Sequence, residues 1–272
     1  MADFEAEQKA VSEENRAVAA KDLQRPEEVW ERHAEWWQRE FTAGADVEYV
    51  EQLLPLAAGH LTGAGRVLDL GCGEGQVARV AAGGGAGVVV GVDPAAAQLA
   101  VAVQRGGGPR YVRGLAAALP FPAAAFDAVV VCLVLEHVGD LDAALDEIGR
   151  VLRRGGRLVL FMNHPLFQAP GSGLIDDRVV DPPEQYWRVG PYLPEDVSLE
   201  EVEPAVRLPF IHRPLSRYVN GLAERGLLVT HMAEPAPPPA FVAQAPEYEA
   251  AASIPRLLLL RAELVGPSPD LR

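Results

Sequence analysis

The chain has 272 residues, 49% hydrophobic and 23% charged, which is ordinary globular composition and enough length to bury a sizeable core. No apolar run approaches the ~20 residues needed to span a bilayer. The acidic start Met1-Ala2-Asp3-Phe4-Glu5 lacks the basic and apolar regions of a secretory signal, so a cytoplasmic location is expected. A formal net charge of −14 opposes unaided binding to a polyanion and makes nucleic acid a disfavoured partner.

In chain order, residues 1–60 read as an N-terminal helical cover. The first 24 or so residues are polar and alanine-rich, in the proportions of a short helix or a frayed arm. Lys9 and Lys21 are the only lysines, a skew that fits compositional bias more than function. Pro26 followed by Glu27 and Glu28 starts a helix, because proline at the first turn loses no needed donor and acids favour the positive end. Trp30, His33, Trp37 and Phe41 then recur on one helical face, and a second helix is predicted over Asp46–His60.

Residues 61–163 alternate strand and helix. Strands are predicted at 66–70, 87–92, 110–113, 126–132 and 156–162, with helices at 75–82, 95–104 and 141–152. Near-continuous valine and leucine suit parallel strands buried on both faces. Residues 164–213 break the rhythm with Pro165, Pro170, Pro182, Pro183, Tyr186, Trp187 and Tyr192. A segment this long after the fifth strand reads as a substrate lid inserted into the fold. Residues 214–272 return to the same domain, with a helix at Leu215–Arg225, a strand at Leu227–Met232, a Pro-rich connector at 234–240 and a last strand at Arg256–Leu264. The predicted class is α/β, a Rossmann-like, doubly wound, seven-stranded sheet. Its ligand crevice is expected at the carboxyl ends of the strands.

Val67-Leu68-Asp69-Leu70-Gly71-Cys72-Gly73-Glu74-Gly75 is the most informative stretch. An apolar strand enters a loop with glycine at every second position, and a helix follows. Such backbone lets a ligand approach closely. Asp93 closes a second apolar run, Val88–Val92, about 20 residues on, where an acid suits a ribose diol. A dinucleotide fingerprint needs its third glycine at position 76, which is Gln76. That argues against the fold-level rival, an NAD-dependent oxidoreductase. Cys72 and Cys132 are the only cysteines. They read as small buried hydrophobes, and neither a disulfide nor a metal site is expected.

The loop resembles motif I of class I S-adenosylmethionine-dependent methyltransferases, and Gly91-Val92-Asp93 resembles their acidic motif II. Ala118-Leu119-Pro120-Phe121-Pro122, Phe126–Val131, Leu135-Glu136-His137-Val138 and Leu152–Leu158 are similar to later motifs of the UbiE-like small-molecule branch. The resemblance covers roughly positions 65–163, and the C-terminal third matches more loosely. It implies S-adenosyl-L-methionine as cofactor, S-adenosyl-L-homocysteine as product, and an antiparallel last strand at the sheet's edge.

By that resemblance Asp69 helps hold the methionine amino group, directly or through water, Gly71, Cys72, Gly73 and Gly75 pack against the ligand, and Asp93 with Pro94 meets the ribose. The bland alternatives are that Asp69 fixes the loop's own backbone amides and that Asp93 caps the following helix. The family's adenine-reading acid is absent from Gly114-Leu115-Ala116-Ala117, leaving the backbone of Leu115 and Ala116 to hold the base. Leu133 lies where the methionine end is expected. His137, His164 and His212 are the candidate catalytic groups, each with a bland reading as a satisfied local histidine. Tyr186, Tyr192 and Tyr218 are further pocket candidates, and Trp30, Trp36 and Trp37 are either a roof over the site or core. The reaction implied is in-line displacement by an O, N or C atom of a small-molecule acceptor. Two alternatives stay open. One is a tRNA or protein acceptor, for which Arg178, Arg188, Arg207 and Arg213 would form a basic rim. The other is a non-catalytic module that binds the cofactor. A homodimer is also left open.

Overall fold

The computed structural model describes residues 13–182, 184–244 and 252–266. The first twelve residues of the expected N-terminal arm, Pro183 in the expected lid, and 245–251 and 267–272 lie outside the described residues.

A first helix, α1, runs over 13–22, followed by α2 (Pro26–Arg32) and α3 (Ala34–Phe41). The single helix predicted across Trp30 to Phe41 is bent at His33, whose φ of −104° and ψ of 10° separate the two. The bend is local. Trp37 N–H still donates to the His33 carbonyl at 3.1 Å, and Trp37 stacks on Phe41 at 4.5 Å. The second predicted helix begins with a π-turn, Tyr49–Leu53, and continues as α4 (Leu54–Leu61). Pro55 has no N–H to give, so the hydrogen bonding shifts register and Leu54 N–H reaches the Tyr49 carbonyl.

The core follows as β1 (Arg66–Leu70), α5 (Gln76–Gly83), β2 (Val88–Asp93), α6 (Ala96–Arg105), β3 (Arg110–Arg113), β4 (Phe126–Cys132), a 3-10 turn (Leu135–His137), α7 (Leu141–Val151) and β5 (Leu152–Asn163). Predicted bounds hold to within a residue except for β5. That strand starts earlier, with Leu152 beside Phe126, and slips register before Ala128 meets Arg157. The slip accommodates Gly155 at φ +72°.

After β5 come two antiparallel hairpins, β6 (Gly173–Asp177) with β7 (Glu184–Arg188), and β8 (Asp196–Glu203) with β9 (Val206–His212). The sequence predicts no strand in this stretch. Then follow α8 (Leu215–Glu224), β10 (Leu227–Ala233), α9 (Pro239–Gln244) and β11 (Leu257–Leu264). The main sheet has the order β10-β11-β5-β4-β1-β2-β3. β11 runs antiparallel between β5 and β10. The last strand is therefore interior, and β10 is the edge, which corrects the expectation of an edge position.

Period-two alternation sorts the strands' side chains onto two faces. Leu68, Leu70, Val129, Val131, Leu158, Leu160, Leu258 and Leu260 pack with Leu145, Ile148 and Leu222 of α7 and α8. Val67, Val89, Val130, Val159, Phe161, Leu257 and Leu259 pack with Leu53, Leu61, Val77 and Ala78 on the other side. Each such side chain contributes roughly 1.5–3 kcal/mol of burial. Two buried apolar faces leave the strand ends as the place where backbone meets solvent and ligand. No helix among the described residues is long and apolar enough to cross a membrane.

Candidate functional site

At the carboxyl ends of β1 to β4 lies a cavity of about 250 Å³. Its floor is the turn leaving β1. Gly71 and Cys72 N–H groups both donate to the Val92 carbonyl at the end of β2, at 2.7 and 3.0 Å, which binds the two strand ends together. Gly71 has φ +73°, and a Cβ there would lie 2.3 Å from Val134. Gly75 has φ +87°, and a Cβ there would lie 2.2 Å from the Tyr111 hydroxyl. Both positions therefore demand glycine on conformational and steric grounds. Gly75 ends the turn as the residue preceding α5.

Two carboxylates face this turn. Asp93 accepts Gly73 N–H at 2.8 Å with one oxygen and Ala95 N–H at 2.9 Å with the other. Each oxygen retains a second lone pair. Burial pushes the Asp93 carboxyl up to about 6, against the two backbone donors, which pull it down. Asp69 is 1% exposed, and its Oδ2 has no hydrogen-bond partner among the described residues. Burial pushes Asp69 up to about 7, with Asp93 and Glu74 adding repulsion and Arg79 opposing it. A carboxylate with an empty acceptor in a cavity wall suits a cationic ligand group. Glu74 behind the turn is paired with Arg79 at 2.7 Å and Arg105 at 2.6 Å, which ties the turn to α5 and α6.

The cavity brings together Asp69, Gly71, Cys72, Gly73, Asp93, Pro94, Leu115, Ala116 and Leu133. Gly75 shapes the turn from outside the lining. Trp30 and Trp37 line the cavity, so two of the three tryptophans form a roof, whereas Trp36 is buried with Val29 and Leu208. Residues that sequence reasoning missed include Leu23, Gln24, Tyr49, Gln98 and Asp140. Gln98 had a legible signal. It follows Ala95 by three and precedes Ala102 by four on the buried face of α6, where a polar residue is out of place.

The three histidines separate. His137 lines the cavity, packs edge-on to Trp30 at 5.1 Å, and places Nδ1 2.8 Å from the Pro209 carbonyl. A carbonyl only accepts, so Nδ1 carries the proton and the neutral ring keeps Nε2 as an acceptor. His164 and His212 are not part of the lining, which corrects their expected placement at the acceptor pocket. His164 donates from Nε2 to Glu234 at 2.8 Å and accepts Leu166 N–H at Nδ1 at 3.1 Å. His212 donates from Nε2 to the Tyr192 carbonyl at 2.7 Å. Both rings bridge chain segments outside the cavity.

The three tyrosines also lie off the cavity lining. Tyr186 is exposed, and Tyr218 is in the core. Tyr192 accepts Leu215 N–H at 2.9 Å. The expected basic rim does not assemble. Arg213 is 3% exposed, Arg178 and Arg207 pair with Asp176 and Glu201, and Arg188 bonds the Gly171 carbonyl.

The profile of the family described as a methyltransferase domain matches residues 68–160. The chain is similar to the demethylmenaquinone methyltransferase of Thermus thermophilus, 38% identical over 122 residues, 43% of this chain and 54% of that protein. It is also similar to the ubiquinone/menaquinone biosynthesis C-methyltransferase UbiE of Xanthomonas campestris, 39% identical over 132 residues, 44% of this chain and 46% of that protein. The chain thus spans about half the length of these curated relatives. Among solved structures, the S-adenosylmethionine-dependent methyltransferase from Mesorhizobium loti superimposes with a TM-score of 0.68 at 27% identity, covering 82% of this chain and 99% of that one. Residues 68–160 thus match a methyltransferase domain, and in strand order and turn geometry the chain is similar to S-adenosylmethionine-dependent methyltransferases, with UbiE among its sequence relatives.

Proposed function

We propose that the chain binds S-adenosylmethionine in this cavity and transfers its methyl group to an O, N or C atom of a small-molecule acceptor. The observation that carries the reading is the turn between β1 and α5. Its backbone admits a ligand closely, and it is flanked by Asp69 with an unfilled acceptor and Asp93 with spare lone pairs. Those groups fit the cofactor's ammonium and ribose hydroxyls. Gln76, where a dinucleotide turn has glycine, instead bonds the Phe41 carbonyl at 2.9 Å and locks the turn to α3.

When bound, the cofactor supplies a methyl group already activated on a sulfonium sulfur. The protein's task is then orientation and exclusion of water, which can lower a barrier by roughly 7–11 kcal/mol. Asp69, Asp93, Gly71, Cys72 and Gly73 hold the donor's polar groups, while Pro94, Leu115 and Ala116 bound the adenine. Leu133 and Val134 confine the methionine end. His137, its tautomer set by Pro209, serves as base for an acceptor that must lose a proton, worth about 10²–10⁴-fold. Within the stretch 164–213, Pro209 and Phe210 of β9 back His137 from outside the cavity lining, which supports its reading as a cover.

Trp30, Trp37 and Tyr49 in the lining favour a flat, largely apolar acceptor. The engagement of Arg178, Arg188, Arg207 and Arg213 within the protein, with the charge of −14, supports a small molecule over tRNA. Titration calorimetry with S-adenosylmethionine and S-adenosylhomocysteine tests the donor site. Binding is expected, with Asp93→Ala weakening it at least tenfold. Absence of binding by the wild-type protein at millimolar ligand refutes the reading. Homocysteine release on screening phenols, naphthols, amines and activated carbon acids then identifies the acceptor.

A further inference from the structure

Gln98 of α6 is 2% exposed yet lines the cavity. Burying a carboxamide without partners costs stability, so each of its polar atoms needs an account. Gln38 of α3 supplies half of it. The Gln38 amide nitrogen donates to Gln98 Oε1 at 3.0 Å and lies 3.5 Å from the Ala97 carbonyl. The Ala97 carbonyl only accepts, so Gln38 presents its NH₂ group to both atoms, and the Gln98 oxygen must be the acceptor of the pair. The Gln98 amide nitrogen has no partner among the described residues. It is a two-hydrogen donor held on the cavity wall by a neighbouring helix.

That wall is where the base of a bound nucleoside would lie if Asp93 meets the ribose. It consists of Pro94, Gln98, Gly114, Leu115, Ala116 and Ala117. Leu115 stands where related proteins carry an acid, so no side chain there accepts from an exocyclic amine. Gln98 has the only polar side chain of these six, and it offers a donor. An adenine ring presents acceptors at its ring nitrogens.

Resting on the proposed cofactor site, we infer that Gln98 reads the adenine by donating to a ring nitrogen, and that Gln38 is the positioning residue that fixes the direction of this amide. Recognition of the base thus passes from an acid on the β3 side to a glutamine on α6, oriented by the helical cover. The cover thereby takes part in selecting the donor as well as enclosing it.

The test is calorimetry with S-adenosylhomocysteine and its 1-deaza, 3-deaza and 7-deaza analogues on wild-type and Gln98→Met protein. Methionine matches glutamine in size and removes the donor. One neutral hydrogen bond corresponds to about a three- to tenfold change in affinity. The expected result is that Gln98→Met weakens the natural ligand by that factor. One deaza analogue should lose the same factor on wild-type protein and lose nothing more on the variant. Gln38→Ala, which frees the Gln98 amide to turn, should lessen the discrimination against that analogue. Equal binding of all four ligands to wild-type protein overturns the inference even if the variant fails to fold, and so does full-strength binding by Gln98→Met. Failure of the wild-type protein to bind S-adenosylhomocysteine at all overturns the cofactor site itself, a distinct outcome.

Discussion

Asp69 is held in the cavity wall with one oxygen unfilled, and that has a pH signature. Its carboxyl sits at about 7, above the ordinary ~3.9 of an unfolded chain. Between those values the folded protein binds the proton more tightly than the unfolded one does, so this group lowers stability as pH rises, with the loss complete above about 7. A cationic ligand group reverses the preference, because it favours the ionised carboxylate. Affinity for S-adenosylhomocysteine, whose ammonium would meet Asp69, is therefore expected to rise about tenfold between pH 6 and pH 8 as the ionised fraction grows from roughly 0.1 to 0.9. Asp69→Asn should flatten that dependence and raise the melting temperature of the ligand-free protein more at pH 8 than at pH 5. Calorimetric affinities that do not change with pH would remove the ammonium from Asp69's neighbourhood.

At the scale of elements, the segment joining β4 to α7 matters most, since it carries Leu133, Val134 and His137. Besides the His137–Pro209 and Asn163–Glu136 bonds, one arginine gathers its backbone carbonyls. Arg213 donates to the carbonyls of Leu135, Val138 and Gly139 at 2.9, 2.7 and 3.2 Å and faces Glu195 at 3.4 Å. Removing the guanidinium orphans several buried acceptors. Arg213→Met is expected to cost about 3–5 kcal/mol, a fall in melting temperature of roughly 10 °C for a domain of this size, read by thermal unfolding. A fall of 2 °C or less would mean that water takes over the carbonyls and the clamp is unimportant.

This arginine also marks a limit of sequence reading. Arg213 looked like a surface residue at a pocket mouth, because charge in a loop gives no hint of the distant carbonyls it satisfies. His164 and His212 misled in the same way. Position after a strand or before a helix says where the backbone is, but the ring's partners, Glu234 and the Tyr192 carbonyl, come from 70 and 20 residues away. The turn after β1 and Asp93 were legible because their constraints are local, being positive φ, close approach and strand-end placement. The hairpins β6–β7 and β8–β9 were hidden by proline and charge, which suggest loop unless the pairing partner is known.

At the scale of the whole molecule, the cavity is enclosed by parts of the chain far apart in sequence. Leu23, Gln24, Pro26, Trp30 and Trp37 come from the N-terminal helices. Pro209 and Phe210 of β9 orient His137 from the other direction. These two covers meet through Leu208 packed on Val29 and Trp36, and through the exposed pairs Arg16–Asp196 and Arg39–Glu203. Exposed pairs of this kind add little, typically under ~1 kcal/mol each. The covers are therefore held less firmly than the central strands, whose two apolar faces are fully buried, and are expected to open locally while the sheet stays closed. A ligand that touches turn and roof together must leave before the roof opens, so it stabilises the closed roof by mass action. At a concentration 100 times its dissociation constant this amounts to about 2.7 kcal/mol. Hydrogen exchange with saturating S-adenosylhomocysteine should therefore slow about 100-fold at the amides of α2, α3 and β9, while β4 and β5 exchange as before. If only the turn after β1 and the start of α6 slow, the ligand rests on the sheet without engaging the roof, and the two tryptophans belong to packing alone.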